Sequence, residues 1–290
     1  TSSYANSVIS SEDAFTESDI ADSESKVSNE VSTKPISSKS ISSRTVSAKV
    51  PVSSTAPRKE ISILIPPGFT VRKIAARMEA KGVCKATDTG DFSDYSVTAG
   101  ITNPQKRCYR LEGYLYPDTY TFYENSAPED VIKKILQNTQ KKLVGKYSHP
   151  DMTLDEIVTL ASLIEKEGGG NPAESGKISS VLHNRLKKGQ PLQLDAPIYY
   201  LENDMGDADT QKYKIWYNTY NYQNREVKYD CPGLPAGAIC SPSAASLKAA
   251  ANPENTDYLY FGSDSSKNYF YAATFDEFKA KGAELGVNIR

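Results

Sequence analysis

Apolar positions recur at helical spacing most clearly between Thr153 and Glu167, TLDEIVTLASLIEKE. Leu154, Ile157, Val158, Leu160, Ala161 and Ile164 form one stripe. Thr153 and Glu156 have capping-box spacing, so this helix has a defined start. Upstream, Ile61, Ile63 and Ile65 alternate with other residues, the two-residue period of a strand. Pro66-Pro67-Gly68 ends that strand. Thr70 opens a helix through Ile74, Ala75 and Met78 to Lys81, and Gly82 stops it. Pro128 to Tyr147 predicts an amphipathic helix on Val131, Ile132, Ile135, Leu136 and Leu143. Asn171-Pro172 predicts a further helix start, with cap and first-turn proline in their preferred places, and Gly189 a stop. Ser243 caps a short helix, Ala244 to Ala251. Tyr258–Phe261 and Tyr269–Tyr271 predict a hairpin, and Phe275 to Leu285 a last helix. Residues 84–108 show no clear period, and the chain from Pro191 is loop-rich. No repeat of 20–50 residues is present.

These elements predict an α+β fold: a mainly helical domain with small β-hairpins, preceded by a small βα subdomain. Residues 1–56 are Ser/Thr-rich with almost no aromatics. Such a stretch buries too little apolar area to offset its ordering entropy, so it is expected to be a disordered tether. The expected division is a linker over 1–56, a βα subdomain over 57–110 and the main domain over 111–290.

The chain has 290 residues, a net charge of −2 and a mean hydropathy of −0.52. That balance lacks the basic footprint of a nucleic-acid binder. Nineteen tyrosines against eight phenylalanines suggest wet, half-buried aromatic surface, which sugars stack on. Cys84, Cys108, Cys231 and Cys240 have no CxxC spacing, and only His149 and His183 accompany them, so neither a metal nor a cofactor is expected. Cys231 and Cys240 are the easiest pair to bridge; free buried thiols fit equally well. No apolar run reaches the length of a membrane span.

HExxH, GxGxxG, P-loop and GxSxG patterns are absent, and two histidines in unrelated contexts make a Ser-His or Cys-His enzyme a poor fit. Carboxylates, amides and tyrosines remain, a set that suits glycosidic bond cleavage. At about 100° per residue, Lys166 points away from the apolar stripe into water, while Glu165 and Glu167 flank it. One turn back, Glu165 has Ala161 and Ser162, which leave room for a groove; Glu167 has Leu163 and Ile164, which fill space. A carboxyl desolvated in a groove titrates higher, as a general acid near neutral pH requires, so Glu165 is the expected acid. An isolated E-K-E is more often a solvated face. Candidate partners are Glu112, Asp118 and Asp195. Each has a structural alternative: a turn for Asp118, an ion pair with Arg185 for Glu112, a cap for Asp195.

Several segments then resemble a known family, the endolytic murein transglycosylases, also called YceG-like. They are LEGYLYPDTY (Leu111–Tyr120), ASLIEKE (Ala161–Glu167), VLHNRLKKGQPLQLDAPIYY (Val181–Tyr200), YNTY (Tyr217–Tyr220), GLPAGAICSPSAASLKAAANP (Gly233–Pro253) and YLYF (Tyr258–Phe261). The resemblance implies Glu165 as acid/base and peptidoglycan strands as substrate, cut between N-acetylmuramic acid and N-acetylglucosamine without water to leave 1,6-anhydro ends. It implies that Glu112, Gln193, Asp195, Asn218, Tyr217, Tyr220 and Ser241 bind substrate or brace the cleft. It also implies a LysM-like βα unit, cell-wall synthesis partners such as penicillin-binding proteins, and an extracytoplasmic, cell-envelope location with an N-terminal membrane helix upstream. The family pattern is departed from at Asn224–Cys231, which looks like an insertion. A hydrolytic muramidase and a non-catalytic peptidoglycan-binding protein are the competing expectations.

Overall fold

In a computed structural model of the chain, residues 58–85, 95–102, 104–168, 170–204 and 233–289 are described. The expected tether, Tyr217, Asn218, Tyr220, Cys231 and the insertion at 224–231 lie outside them. Strand β1 (Glu60–Ile65) buries Ile63 and Ile65. Removing two such side chains from water contributes about 3–6 kcal/mol before entropic costs. Thr70 then caps helix α1 (Val71–Ala80), its hydroxyl accepting from the N–H of Lys73. Gly82 ends the unit with φ +71°, a left-handed turn that glycine adopts without strain.

β1 pairs with β2 (Asp118–Tyr123), antiparallel, with Ile63 opposite Tyr120 and Ile65 opposite Asp118. Pro117, which biases its surroundings to extended backbone, leads into β2. Ile63, Ile65 and Met78 share one hydrophobic core with Leu111, Leu136 and Ile157, so the packing runs unbroken across position 110. The stretch without sequence period contains a short helix, α2 (Ser96–Ala99), and a 3₁₀ turn, Pro104–Lys106.

Helix α3 (Pro128–Leu143) stops one turn before Tyr147, because Val144 is extended and Gly145 takes φ +69°. Helix α4 (Leu154–Gly168) starts on the expected capping box: Glu156 N–H donates to Thr153 Oγ1 and Thr153 N–H to Glu156 Oε2. Ile157, Val158, Leu160, Ala161, Leu163 and Ile164 are each 0–1 % exposed, so α4 is enclosed all round and not along one stripe. At its start Asp155 receives Arg107, Tyr114 and Thr102 in a buried cluster. Gly113, at φ +87°, faces this helix; a Cβ there would sit 2.8 Å from Val158 Cγ1.

Helix α5 (Pro172–Lys187) begins at the Asn171 cap. Helix α6 (Ala196–Asp204) occupies a region expected to be loop. Asp195 O accepts from Ile198 and Tyr199 N–H, and Pro197, Tyr200 and Leu201 are buried at helical spacing, a pattern too short to stand out. Helix α7 (Ala244–Ala251) packs on α4 and α5. The hairpin of β3 (Tyr260–Ser263) and β4 (Tyr269–Ala272) carries helix α8 (Phe275–Glu284), which starts on a Thr274/Glu277 capping box. Among the described residues, mixed helices and two small antiparallel pairs make the fold α+β. Among the described residues, no helix is long and apolar enough to cross a membrane.

Candidate active site

The last turn of α4 presents two carboxylates, Glu165 and Glu167, only 6 % and 8 % exposed. Glu165 faces the start of α7. Its Oε2 accepts from the Ser243 N–H at 3.0 Å and from the Ser246 hydroxyl at 2.6 Å. A helix start carries unpaired N–H groups and a partial positive charge, so it holds a carboxylate firmly. Gly170, at φ +72°, lies on the other side; a Cβ there would come within 3.2 Å of Glu165 Oε1.

Glu167 meets the start of α6. Burial is the main force raising its carboxyl, and the negative charge of Asp195 pushes the same way. A hydrogen bond from the Ala196 N–H opposes them, and the result is a carboxyl pushed up to about 7. The Glu167 main-chain carbonyl accepts from the Tyr269 hydroxyl at 2.6 Å, which ties this turn to β4.

The expected groove behind Glu165 is filled. Ser162 Oγ accepts from Ile239 N–H at 3.0 Å, and the Cys240 Sγ lies 3.5 Å from Ser162 O. Small residues here let the 238–243 segment approach closely. Lys166, expected in water, is half-buried and donates to Gly68 O at 2.9 Å, fastening the Pro66–Phe69 loop to α4.

The other expected residues divide. Glu112 is fully buried and accepts from Val71 N–H, at 3.1 and 3.3 Å, and from the Tyr200 hydroxyl at 3.1 Å. It braces the start of α1 against α6. Its expected alternative partner, Arg185, instead binds the carbonyls of Leu259, Pro191 and Leu192 and the Gln193 Oε1. Gln193 is exposed, with φ +55°. Ser241 is fully buried; its N–H donates to Phe69 O and its carbonyl accepts from Gly68 N–H, so it too braces. Asp118 is held by Asn138 and sits below the usual carboxylate range for that reason first. Asp195 comes to Glu167 as a charged neighbour. His183 is structural: its Nε2 meets Ala250 O at 2.9 Å and its ring lies against His149. Among the described residues no group of three or more His, Cys, Asp or Glu is placed to hold a metal. Ser246 and Tyr269 were missed; only the Ser243-x-x-Ser246 spacing of a helix cap signalled the former.

A family model also matches nearly the whole chain. The model of the YceG-like family covers residues 5–284. Proteins named endolytic murein transglycosylase from Bacillus subtilis and Streptococcus pneumoniae are each 33 % identical, over 191 and 183 residues. Those segments cover 64 % and 62 % of this chain but 51 % and 33 % of the relatives, so the chain spans a third to a half of their length. A crystal structure of a yceG-like protein from Listeria monocytogenes superposes with a TM-score of 0.53 at 26 % identity, covering 76 % of this chain and 74 % of that one. Family match, relatives and fold agree: this chain belongs to the YceG-like family.

Proposed function

We propose that the chain is an endolytic lytic transglycosylase that cuts peptidoglycan strands between N-acetylmuramic acid and N-acetylglucosamine, with the last turn of α4 as its acid/base centre. The observation that carries the acid assignment is the Glu167 carboxyl, pushed up to about 7 by burial and by Asp195. Such a group still holds its proton near neutral pH and has a carboxylate's basicity to spare once it has given it up. Glu167 protonates the leaving N-acetylglucosamine oxygen as the bond to the muramyl C1 breaks. The resulting carboxylate then takes the proton of the muramyl C6 hydroxyl, whose oxygen closes on C1. No water is consumed and the carboxyl returns to its starting state. The C6 hydroxyl belongs to the reacting sugar, so its effective concentration is high and no second carboxylate is needed to hold a nucleophile. Glu165 is the brace that keeps this turn against α7.

The reverse assignment, with Glu165 as the acid, rests on its two donors from Ser243 and Ser246, which fix its geometry. A muramidase reading rests on Asp195, a carboxylate that neighbours Glu167 and would have to direct a water. In the transglycosylase reading the chain works in the cell envelope, with residues 1–56 as its tether, 57–110 as a LysM-like unit and 111–290 as the catalytic part. Gln193, Tyr217, Asn218 and Tyr220 are its substrate contacts, and cell-wall synthesis proteins such as penicillin-binding proteins are its partners. Mass spectrometry of digested uncrosslinked glycan strands tests the reaction. Internal fragments ending in 1,6-anhydro-muramic acid, one water lighter than hydrolysis products, are expected. Reducing muramic acid ends would make the protein a muramidase, and no cleavage would make it a binding protein.

A further inference from the structure

A pocket of about 390 Å³ lies between α5, α8 and the β3–β4 hairpin, lined by Lys177, Tyr258, Tyr269, Tyr271, Lys281 and Glu284 among others. We propose that it is a saccharide subsite, which seats one N-acetylhexosamine ring of the glycan strand on the Tyr258 side of the pocket. The inference rests on the glycan-strand reading above and adds to it where the strand lies beyond the cleavage point.

The aromatic floor is rigid before any ligand arrives. Tyr258 and Tyr271 stack with ring centres 5.6 Å apart and planes 25° apart. The Tyr271 hydroxyl donates to Glu174 Oε2 and the Tyr269 hydroxyl to Glu167 O, both at 2.6 Å. Lys281 Nζ donates to Tyr271 O at 2.6 Å, closing the hairpin against α8. Held rings lose little freedom on binding, so their contact area converts efficiently to affinity. Tyr258 is half-buried, and its hydroxyl makes no hydrogen bond to protein among the described residues. Lys177 Nζ lies 5.4 Å from the Tyr271 ring centre and 3.7 Å from Glu174, at the open edge.

The chemistry of this wall selects a class of ligand. A pyranose has an apolar C–H face, which suits a tyrosine ring, and a rim of hydroxyls, which need both donors and acceptors. The pocket lining supplies donors from Lys177 and Lys281 and an acceptor from Glu284. Tyr269 belongs to both places: it lines the pocket and its hydroxyl holds the Glu167 carbonyl. This contact sets the pocket beside the turn that carries Glu167, which gives a strand bound there a wall to continue onto.

The test uses the full chain and tetra-N-acetylchitotetraose, a neutral oligosaccharide without muramic acid or peptide. Calorimetry should show binding that Tyr258→Ala weakens by about tenfold, the size of one aromatic contact. Tyr258→Phe keeps the ring and should bind within about twofold of the parent, which separates loss of the contact from loss of the fold. Lys177→Ala should weaken binding by a smaller factor. Equal affinity in the parent and Tyr258→Ala, or no binding by the parent, would overturn the subsite. Cleavage of glycan strands is measured alongside. Anhydro-ended products with Tyr258-independent binding sink the subsite and leave the reaction standing. Tyr258-dependent binding without cleavage keeps the subsite and sinks the reaction.

Discussion

Glu165 and Glu167 sit two residues apart on one helix turn and are almost equally buried, yet they face different neighbours. Glu165 meets donors, the Ser243 N–H and Ser246 hydroxyl at the start of α7. Glu167 meets one donor, the Ala196 N–H, and one negative charge, Asp195. Burial does not by itself separate a structural carboxylate from a proton carrier. What decides is whether the protein offers the charged form partners or a like charge. Each of these helix starts is a source of N–H groups, but only the α6 start brings a carboxylate with it.

The largest expected effect is on activity. Glu167→Gln should lower glycan cleavage by about 10²–10⁴-fold with folding intact, because only the titrating proton is lost. Glu165→Gln should cost clearly less, since an amide oxygen can still accept from Ser243 and Ser246. Equal losses, or a greater loss in Glu165→Gln, would erase the distinction and return the acid role to Glu165.

The next effect is on stability, and its sign follows from the raised carboxyl. Glu167 goes from an ordinary value of 4.5 when unfolded to about 7 when folded. Its contribution to stability is complete below 4.5 and is lost as pH rises through about 7, where the folded chain must hold a buried charge. Glu167→Gln cannot ionise. Urea melts should show it more stable than the parent at pH 8, by about 2–4 kcal/mol relative to the difference at pH 4. A pH-independent difference would mean that Glu167 titrates normally.

A third buried carboxylate provides the baseline. Glu112 satisfies the Val71 N–H and the Tyr200 hydroxyl and has no solvent contact. Glu112→Ala strands both donors and should cost about 1–3 kcal/mol in denaturant midpoint analysis. Activity per folded molecule should stay nearly unchanged, because Glu112 holds α1 to α6. A selective loss of activity with full stability would move Glu112 into the cleft.

Local chemistry was legible in the sequence. Thr70, Thr153 with Glu156, Asn171 and Ser243 each start a helix where their spacing predicts, because a cap is settled within four residues. Long-range pairing was not. Thr119, Tyr120, Thr121 and Phe122 alternate as a strand does, but nothing local says that β2 pairs with β1 or sets Ile63 opposite Tyr120. The same limit explains the choice between Glu165 and Glu167. The helix wheel shows the small residues behind Glu165, but it does not show that Ile239 and α7, from 77 or more residues away, fill the space. Nor does it show that Asp195 arrives beside Glu167. The bracing roles of Glu112 and Ser241 were hidden for the same reason: their partners, Val71, Tyr200 and Phe69, come from other elements.

The most direct measurement is a titration of the side-chain carboxyl carbons by ¹³C NMR in protein labelled at glutamate, with Glu165→Gln and Glu167→Gln used to assign the two resonances. The resonance that disappears in Glu167→Gln should titrate with a midpoint at about 7. If that resonance instead titrates in the ordinary carboxylate range, or the one with a midpoint near neutrality disappears in Glu165→Gln, the proton carrier is not Glu167.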